Sequence, residues 1–195
     1  MIYLLRHGEI EQSRPRRFVG QRDLPLTRRG RDQAAWWGDR LAGVEFKAVY
    51  SSPLSRCRES AALAAPGREV LVEPGWREIS LGDWEGLTVD QVRSRFPGQY
   101  EARGEDLAGH RPQGGESFAQ AAARATPLLE ALADAPGPML VVAHSGVIRA
   151  GLCRLLGLPL NHLLRLELDY AGLCLADRGQ QGWKLHGFNL RPDRF

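Results

Sequence analysis

Residues 2–9 read Ile-Tyr-Leu-Leu-Arg-His-Gly-Glu, and their pattern is the most informative in the chain for its fold. The apolar, partly β-branched and aromatic run at its start is typical of a buried strand. Arg6 and His7 follow at the carboxyl end of that strand, where open α/β sheets bind their ligands. Gly8 lacks a Cβ, so we expect it to let a ligand oxygen approach the backbone. The stretch therefore predicts a strand that delivers an arginine and a histidine to a binding site.

Strand-like runs recur along the chain and alternate with helical patterns. The predicted strands are residues 2–5, 47–50, 70–73, 139–143, 171–176 and 183–188. This alternation indicates α/β layers with a largely parallel sheet.

Residues suited to starting a helix precede most of the helical patterns. Thr27, Thr88 and Ser117 are predicted N-caps, Ser52 with Pro53 is predicted to start the helix after the second strand, and a further helix is expected to begin at residue 145. Segments 10–26 and 98–116 show no clear periodicity and are predicted loops, and loops of that length are usually functional.

The composition is that of an ordinary globular protein. The chain has 195 residues, of which 43% are hydrophobic and 25% charged, so we expect one domain spanning residues 1–195. No apolar stretch approaches the roughly eighteen residues that span a bilayer, and the start lacks the features of a signal peptide. Cys57, Cys153 and Cys174 form no Cys-x-x-Cys pair, which argues against disulfides and structural zinc. We therefore expect a cytoplasmic protein that makes no contact with a membrane.

Arginine dominates the basic residues. The net charge is +3, and lysine occurs only at positions 47 and 184 among the 26 Lys and Arg residues. Arginine binds phosphate through paired hydrogen bonds and suits an anionic substrate. For most of these arginines, however, we favour a simpler interpretation, in which genomic codon bias selects arginine and the side chain is solvated on the surface. Because the basic residues cluster only at 14–17 and 28–31 and no recognition motif accompanies them, we expect no nucleic-acid partner.

Two further strand ends carry groups that suit an anion. Residues 51–56, Ser-Ser-Pro-Leu-Ser-Arg, place Arg56 in the first turn of a helix, where free backbone N–H groups and the helix dipole favour negative charge. Residues 142–146, Val-Ala-His-Ser-Gly, put His144 at the end of the most apolar strand. If the three strands are parallel, the groups at their ends meet at one edge of the sheet.

Together these groups supply what phosphoryl transfer from a monoester requires. The reaction needs a nucleophile, neutralisation of the phosphoryl oxygens and a proton for the leaving alkoxide. The neutral imidazole of His7 is the candidate nucleophile. Arg6 and Arg56 should bind the phosphate, and as neighbouring cations they should lower the pKa of His7.

Glu78 is the candidate general acid, with Trp76 and Trp84 as an apolar wall beside it. Glu85 is an alternative acid, but its position between Trp84 and Gly86 favours a role in a turn. We expect no metal site, because the histidines lack paired spacing and the candidate carboxylates are isolated.

Five ordered motifs resemble those of the histidine phosphatase superfamily, which includes cofactor-dependent phosphoglycerate mutase. They are Arg-His-Gly-Glu at 6–9, Ser-Ser-Pro-Leu at 51–54 with Arg56, Glu78 before Gly-Asp-Trp-Glu-Gly at 82–86, Gly-Gly-Glu-Ser at 114–117, and His-Ser-Gly at 144–146. The resemblance runs from residue 2 to about residue 150. It implies a phosphoglycerate mutase-like fold, a three-layer α/β/α sandwich with a mostly parallel central sheet.

The resemblance also implies roles for individual residues. His7 would be the phosphohistidine nucleophile, Glu78 the proton donor, and Arg6, Arg56 and His144 the phosphate pocket. The implied activity is hydrolysis of a small phosphomonoester through a covalent phosphohistidine, without a metal or an organic cofactor.

Within the superfamily, residues 20–27 with Gly30 and the later Gly-Gly-Glu-Ser look like α-ribazole phosphatase of cobalamin assembly, so α-ribazole 5'-phosphate is a candidate substrate. The family usually carries an asparagine six residues after the nucleophile, whereas this chain has Ser13, which is shorter and offers one donor instead of two. The candidate substrate-binding residues are Glu9, Ser13, Gly20, Gln21, Glu116 and Ser145.

Two alternatives to hydrolysis remain open. A phosphoglycerate mutase must keep water from its phosphohistidine, and 195 residues leave little room for the insertion that such mutases usually carry, which favours hydrolysis. Ser13 leaves open a non-catalytic protein that binds a phosphorylated ligand, although every nucleophile and proton-transfer position is filled. No feature of the sequence predicts an oligomeric state.

Overall fold

A single six-stranded sheet organises the fold in the computed structural model, which describes residues 1–11 and 15–191. The strands are β1 (Ile2–Arg6), β2 (Ala48–Ser51), β3 (Val70–Val72), β4 (Met139–Ala143), β5 (Leu173–Gly179) and β6 (Gly182–Leu190). Their order across the sheet is β3-β2-β4-β1-β5-β6. The first four are parallel to one another, and β5 and β6 pair antiparallel at one side. The predicted mostly parallel sheet is confirmed, and because its strands come from both ends of the chain we infer one domain.

Helices cover both faces of this sheet. The helices are α1 (Arg28–Arg40), α2 (Ser55–Ala64), α3 (Val89–Arg95), α4 (Gln99–Glu105), α5 (Phe118–Asp134) and α6 (Ser145–Leu155), with short 3-10 turns at Pro74–Trp76, Gly82–Trp84 and Leu160–Arg165.

The central strand β4 shows why the molecule has three layers. All five of its residues are buried, and successive side chains point to opposite faces of the sheet. Val141 and Ala143 pack in a core cluster with residues of α5 and α6, whereas Leu140 and Val142 pack with residues of α1 and α2. Each fully buried Leu or Val contributes roughly 1.5–3 kcal/mol through burial. The three-layer sandwich implied by the motifs is therefore confirmed.

The predicted N-caps hold at three helices. The hydroxyl of Thr27 accepts from a backbone N–H of α1, and those of Thr88 and Ser117 do the same for α3 and α5. The last two form complete capping boxes with the glutamine three residues later, which satisfies two otherwise unpaired N–H groups at each helix start.

Helix α2 begins later than predicted. Ser52 and Pro53 were expected to start it, but the first helical residue is Ser55. The Ser52 hydroxyl instead lies 2.8 Å from Nε2 of His144, and the Ser55 backbone N–H donates to the Asp23 carboxylate at 2.9 Å. Asp23, which is distant in sequence, thus accepts the hydrogen bond at the start of the helix, and Ser52 contacts His144 at the edge of the sheet instead.

The prediction of a loop over residues 98–116 is wrong in part, because residues 99–105 form α4. None of the residues of α4 is buried, so the helix lacks the apolar period by which sequence analysis recognises helices.

Gly8 allows two backbone segments to touch. A Cβ on Gly8 would lie 2.1 Å from the carbonyl oxygen of Gly30, and one on Gly30 would lie 2.1 Å from that of Glu9. The end of β1 therefore packs directly on the start of α1. The close approach expected at Gly8 is made by α1 rather than by a ligand.

Candidate active site

The parallel register brings three strand ends together at one edge of the sheet. Arg6 at the end of β1 is opposite Ala143 at the end of β4, and the end of β2 pairs with the same strand one residue earlier. The residues that follow these strands are therefore neighbours. The ring centroids of His7 and His144 lie 5.1 Å apart in an edge-to-face arrangement.

His7 is held as a neutral, oriented imidazole. Its side chain is buried, and its Nδ1 lies 2.8 Å from the carbonyl oxygen of Gly8. Because a carbonyl only accepts hydrogen bonds, Nδ1 carries the proton and Nε2 keeps a lone pair. Burial lowers the pKa of His7 well below its usual value, and the nearby charges of Arg56 and Arg6 lower it further. The predicted direction is correct, but burial contributes more than the two cations.

Arg6 and Arg56 present cationic groups beside His7. Arg6 donates to the carbonyl of Leu168 at 2.7 Å, and Arg56 donates to the carbonyls of Gly20 and Arg22 at 2.8 and 2.6 Å. In the described part of the chain neither forms an ion pair, and the buried Nε of each finds no hydrogen-bond partner. An unsatisfied buried donor costs about 1–3 kcal/mol, and more when it is charged. Two such donors beside a histidine indicate an anion site.

His144 lies behind this pocket and is completely buried. Its Nε2 is 2.8 Å from the Ser52 hydroxyl and 3.3 Å from the Cys57 sulfur. Burial lowers its pKa well below the usual value, and the charges of Arg56, Arg6 and Arg124, together with the neighbouring His7, lower it further. His144 is thus a second neutral imidazole packed against the first.

A cavity of about 830 Å³ lies beside His7 and its two neighbouring arginines. Arg6, His7 and Arg56 line it, together with the predicted residues Gly20, Glu78 and Ser145. A cavity of this size lies in the range of roughly 300–1,000 Å³ typical of small-molecule sites.

Glu78 reaches the cavity at the start of α6. Its Oε2 accepts from the N–H of Gly146 at 3.0 Å, and its Oε1 accepts from those of Ile79 and Val147 at 2.9 and 3.1 Å. The expected wall of Trp76 and Trp84 is wrong, because both indoles are buried in core clusters and neither lines the cavity. Backbone N–H groups, rather than tryptophans, surround this carboxyl.

The other predicted substrate-binding residues mostly hold the surrounding loops. Oε1 of Glu9 accepts from the Thr27 hydroxyl at 3.3 Å, and the Gln21 amide donates to the Glu78 carbonyl at 2.9 Å. The Glu116 carboxylate accepts from the Ser80 N–H and forms an ion pair with Arg124. Glu9, Gln21 and Glu116 are not among the residues that line the cavity, and Ser13 lies outside the described residues.

Three residues that were not predicted from the sequence also line the cavity, namely Arg103, Arg149 and Tyr170. The guanidinium carbon of Arg6 lies 3.9 Å from the Tyr170 ring centroid, and that ring is 5.6 Å from the ring of His7. Tyr170 follows no motif, so no sequence signal identifies it. Arg149 lies one helical turn after Ser145, and this spacing places it on the side of α6 that faces the site.

The described residues contain no group of three or more His, Cys, Asp or Glu side chains arranged to hold a metal ion. Among the helices of residues 1–11 and 15–191, none is long and apolar enough to cross a membrane.

Known proteins resemble this chain along nearly its whole length. It is 35% identical over 172 residues to glucosyl-3-phosphoglycerate phosphatase of Mycolicibacterium vanbaalenii, which covers 83% of this chain and 76% of that protein. It is 30% identical over 191 residues to a protein of Erwinia tasmaniensis described as a probable phosphoglycerate mutase, covering 96% of this chain and 89% of the relative. The crystal structure of α-ribazole phosphatase from Shigella flexneri superposes with a TM-score of 0.88 at 27% identity and covers 97% of this chain and 96% of its own.

The family comparison agrees with the geometry of the strand edge. The sequence matches the histidine phosphatase superfamily (branch 1) over residues 2–191. The chain therefore belongs to branch 1 of the histidine phosphatase superfamily, and it is an enzyme of the phosphatase or mutase type that acts on a small phosphorylated metabolite.

Proposed function

We propose that this enzyme hydrolyses phosphomonoesters through a covalent phosphohistidine on His7. The proposal is carried by one observation, the neutral buried imidazole of His7 beside the half-buried Arg6 and the buried Arg56, neither of which forms an ion pair within the described residues. Cations without protein counter-ions attract a phosphate dianion, and the lowered pKa of His7 keeps its lone pair available near neutral pH.

In the first step the Nε2 lone pair of His7 attacks phosphorus. A P–N bond forms, and the bond between phosphorus and the alcohol oxygen breaks. The hydrogen bond from Nδ1 to the Gly8 carbonyl fixes the ring for this attack and stabilises the positive charge that develops on it. Arg6 and Arg56 neutralise the phosphoryl oxygens as the leaving group departs.

Glu78 is the proton donor in this proposal. A carboxylate offers about four acceptor positions, and the backbone N–H groups at residues 79, 146 and 147 occupy three of them. Among the described residues Oε2 accepts only the bond from Gly146, so its remaining position is where the transferred proton resides. The proton passes from Glu78 to the leaving alkoxide in the first step and returns from the attacking water in the second.

Water completes the cycle by attacking the phosphohistidine. The P–N bond breaks, inorganic phosphate leaves, and His7 is regenerated as the neutral imidazole. Arg16, Leu164 and Glu167 line the cavity and are exposed, so the cavity is open to solvent. Because a mutase must exclude water from its phosphohistidine, this open mouth favours hydrolysis over phosphoglycerate mutase activity.

The relatives suggest which substrates to compare. α-Ribazole 5'-phosphate is suggested by the motifs at residues 20–27 and 114–117 and by the Shigella relative. Glucosyl-3-phosphoglycerate is suggested by the mycolicibacterial relative. Of the two α-ribazole-like motifs, the first contributes Gly20 to the cavity, whereas Glu116 of the second is paired with Arg124.

A labelling experiment tests the phosphohistidine directly. During turnover of a ³²P-labelled ester, the wild-type protein should acquire an acid-labile, alkali-stable label on His7. His7→Ala should remove the label and reduce kcat by about a thousandfold or more. His162→Ala, at an exposed histidine of the last 3-10 turn, should leave both unchanged.

A substrate panel tests hydrolysis against the alternatives. We expect phosphate release from at least one of α-ribazole 5'-phosphate, glucosyl-3-phosphoglycerate, phosphoserine or a sugar phosphate, ranked by kcat/KM. Transfer between positions of 3-phosphoglycerate, without phosphate release, would indicate a mutase. A protein that binds these esters but neither turns them over nor becomes labelled would be the non-catalytic binder.

A further inference from the structure

Three arginines form a second basic cluster in the cavity, apart from the two beside His7. This second arginine cluster consists of Arg16, Arg103 and Arg149, and each residue lines the cavity that also contains His7. Arg103 lies on α4 and Arg149 on α6, while Arg16 belongs to the loop after β1. The fold thus brings guanidiniums from three separate segments to one cavity.

Arg149 is fixed in place by backbone carbonyls. Its Nε donates to the carbonyl of Ser145 at 3.0 Å, and its Nη1 donates to that of Leu166 at 3.3 Å. Among the described residues, its Nη2 makes no hydrogen bond and no carboxylate forms an ion pair with it. A guanidinium held by two bonds and retaining free donors is ordered in advance for an anion, because little side-chain entropy remains to be lost.

Arg103 is held by aromatic rings instead. Its guanidinium carbon lies 5.8 Å from the Phe18 ring centroid and 5.7 Å from that of Phe118. Both phenylalanines line the same cavity. No carboxylate in the described part of the chain forms an ion pair with Arg103, so its hydrogen-bond donors remain available for a ligand.

The members of the cluster repel one another. Burial lowers the pKa of Arg149 to about 10 and also lowers that of Arg103, and the charge of Arg16 lowers both further. The same protein pairs other half-buried arginines with carboxylates, as it does Arg124 with Glu116. Like charges gathered without such partners destabilise the fold unless an anion lies among them.

Carboxylates near the cluster do not neutralise it. Glu78 attracts Arg149 over some distance but is held by backbone N–H groups. Asp169 at the cavity is already paired with Arg191, and Glu167 is exposed and forms no ion pair with the described residues.

We propose that the second arginine cluster binds a second anionic group, a carboxylate or a phosphate, on the alcohol portion of the substrate. This inference rests on the proposed hydrolysis at His7, and it narrows the substrate class to phosphomonoesters with two anionic groups. The cavity is large enough for both groups, since its volume of about 830 Å³ suits a whole metabolite rather than a phosphate alone. A second anion site therefore favours glucosyl-3-phosphoglycerate or phosphoserine as the substrate over α-ribazole 5'-phosphate, whose sugar and base carry no second negative charge.

Three matched esters isolate the second group. 3-Phosphoglycerate carries a carboxylate where sn-glycerol 3-phosphate carries a hydroxymethyl group and where glycerol 1,3-bisphosphate carries a second phosphate. We expect kcat/KM for at least one of the two doubly anionic esters to exceed that for sn-glycerol 3-phosphate by about tenfold or more, the contribution of one charge-assisted hydrogen bond. The ester that is preferred identifies the second group as carboxylate or phosphate.

Variants then assign the preference to the cluster. Arg149→Met and, independently, Arg103→Met should each lower the ratio of kcat/KM between the preferred ester and sn-glycerol 3-phosphate by about tenfold. Because both esters are measured on one preparation, this ratio is unaffected by loss of folded protein. Arg149→Lys should lower it less than Arg149→Met, since the charge is kept. Arg154→Met, at an exposed arginine of the same helix, should leave the ratio at the wild-type value.

The outcomes separate this inference from the proposed function. Equal kcat/KM for all three esters, or a preference that both methionine variants retain, overturns the second anion site while leaving hydrolysis at His7 intact. If neither these three esters nor any member of the substrate panel is turned over, hydrolysis fails, and calorimetric Kd values for the three esters then test the site. A Kd ratio of one between charged and uncharged esters would overturn it, and a ratio that falls in Arg149→Met would support it.

Discussion

Glu85 holds the loop that positions Arg56, so its replacement should weaken phosphate binding although Glu85 itself is not among the residues that line the cavity. Its Oε1 accepts hydrogen bonds from the N–H of Gln21 at 2.8 Å and of Leu81 at 3.2 Å. The carboxylate also lies directly against Gly20, where a Cβ would approach Oε1 to 2.4 Å. The Gly20 carbonyl in turn accepts a 2.8 Å bond from Nη2 of Arg56. A chain of contacts thus runs from Glu85 to the phosphate pocket.

The size of the effect follows from the bonds lost. Glu85→Ala leaves two backbone N–H groups without their charged acceptor, and a bond to a charged group contributes about 1.5–3 kcal/mol, with the longer bond below that range. We expect the free energy of unfolding to fall by about 2–4 kcal/mol, and Ki for inorganic phosphate to rise about tenfold as Arg56 loses its fixed carbonyl partner. Glu85→Gln keeps an oxygen in place and loses only the charge, so it should cost about 1 kcal/mol and raise Ki less than about threefold.

Two measurements on the same proteins check this reasoning. Urea denaturation gives the free energy of unfolding, and competitive inhibition of ester hydrolysis by phosphate gives Ki. Glu59→Ala is the control, because its ion pair with Arg31 is largely exposed and should contribute less than about 1 kcal/mol without affecting Ki. If Glu85→Ala binds phosphate like the wild type, or if Glu85→Gln raises Ki as much as Glu85→Ala, then Glu85 does not position the pocket.

Three other predictions follow from the site. Because the pKa values of His7 and His144 are lowered on folding, the unfolded chain binds more protons than the folded protein below about pH 6.5. The free energy of unfolding should therefore decrease as the pH is lowered below this value, by at most about 2.7 kcal/mol per pH unit for the two histidines. Urea titrations that give equal stability at pH 7 and pH 5 would contradict this. Gly8→Ala should destabilise the protein by about 2 kcal/mol or more, because its Cβ would overlap the backbone of α1. Gly104→Ala, in an open part of α4, should instead stabilise the protein by about 0.5–1 kcal/mol. Thermal unfolding measures both effects, and equal shifts in Tm would refute the overlap at Gly8. Tyr170→Leu removes the cation–π contact with Arg6 and should lower kcat/KM about 3- to 30-fold for all esters alike. Tyr170→Phe keeps the aromatic ring, so its kcat/KM should stay near the wild-type value. A loss of the same size in both variants would implicate the hydroxyl instead.

Local patterns predicted the parts of the fold that depend on short segments. The strand β1 and the N-caps at Thr27 and Ser117 are each set by a few neighbouring residues, and the structure confirms them. The meeting of His7 and His144 was also predictable, because parallel strands bring their carboxyl ends to the same edge. These features need only the periodicity of the chain and the direction of its strands.

Features decided by residues distant in sequence were not predictable. Ser52 was expected to cap α2, but it contacts His144 from another strand, and Asp23 takes over the start of the helix. Glu116 fits a substrate-binding motif, yet its carboxylate is held by Arg124 eight residues later and by a backbone N–H thirty-six residues earlier. In each case a side chain has several chemically equivalent partners, and only the packed fold selects among them.

The edge of the sheet combines several groups that lower stability. Ala171 adopts a left-handed backbone with φ of 53°, while its N–H bonds the His7 carbonyl and its own carbonyl accepts from Trp37. Such a conformation costs of order 1–3 kcal/mol, and the unpaired buried Nε groups of Arg6 and Arg56 add further cost. The apolar layers on both faces of the sheet offset this cost by fixing the strand ends in position. Since an anion in the pocket would satisfy the buried donors, the groups that reduce the stability of the fold are also those that provide its affinity for phosphate.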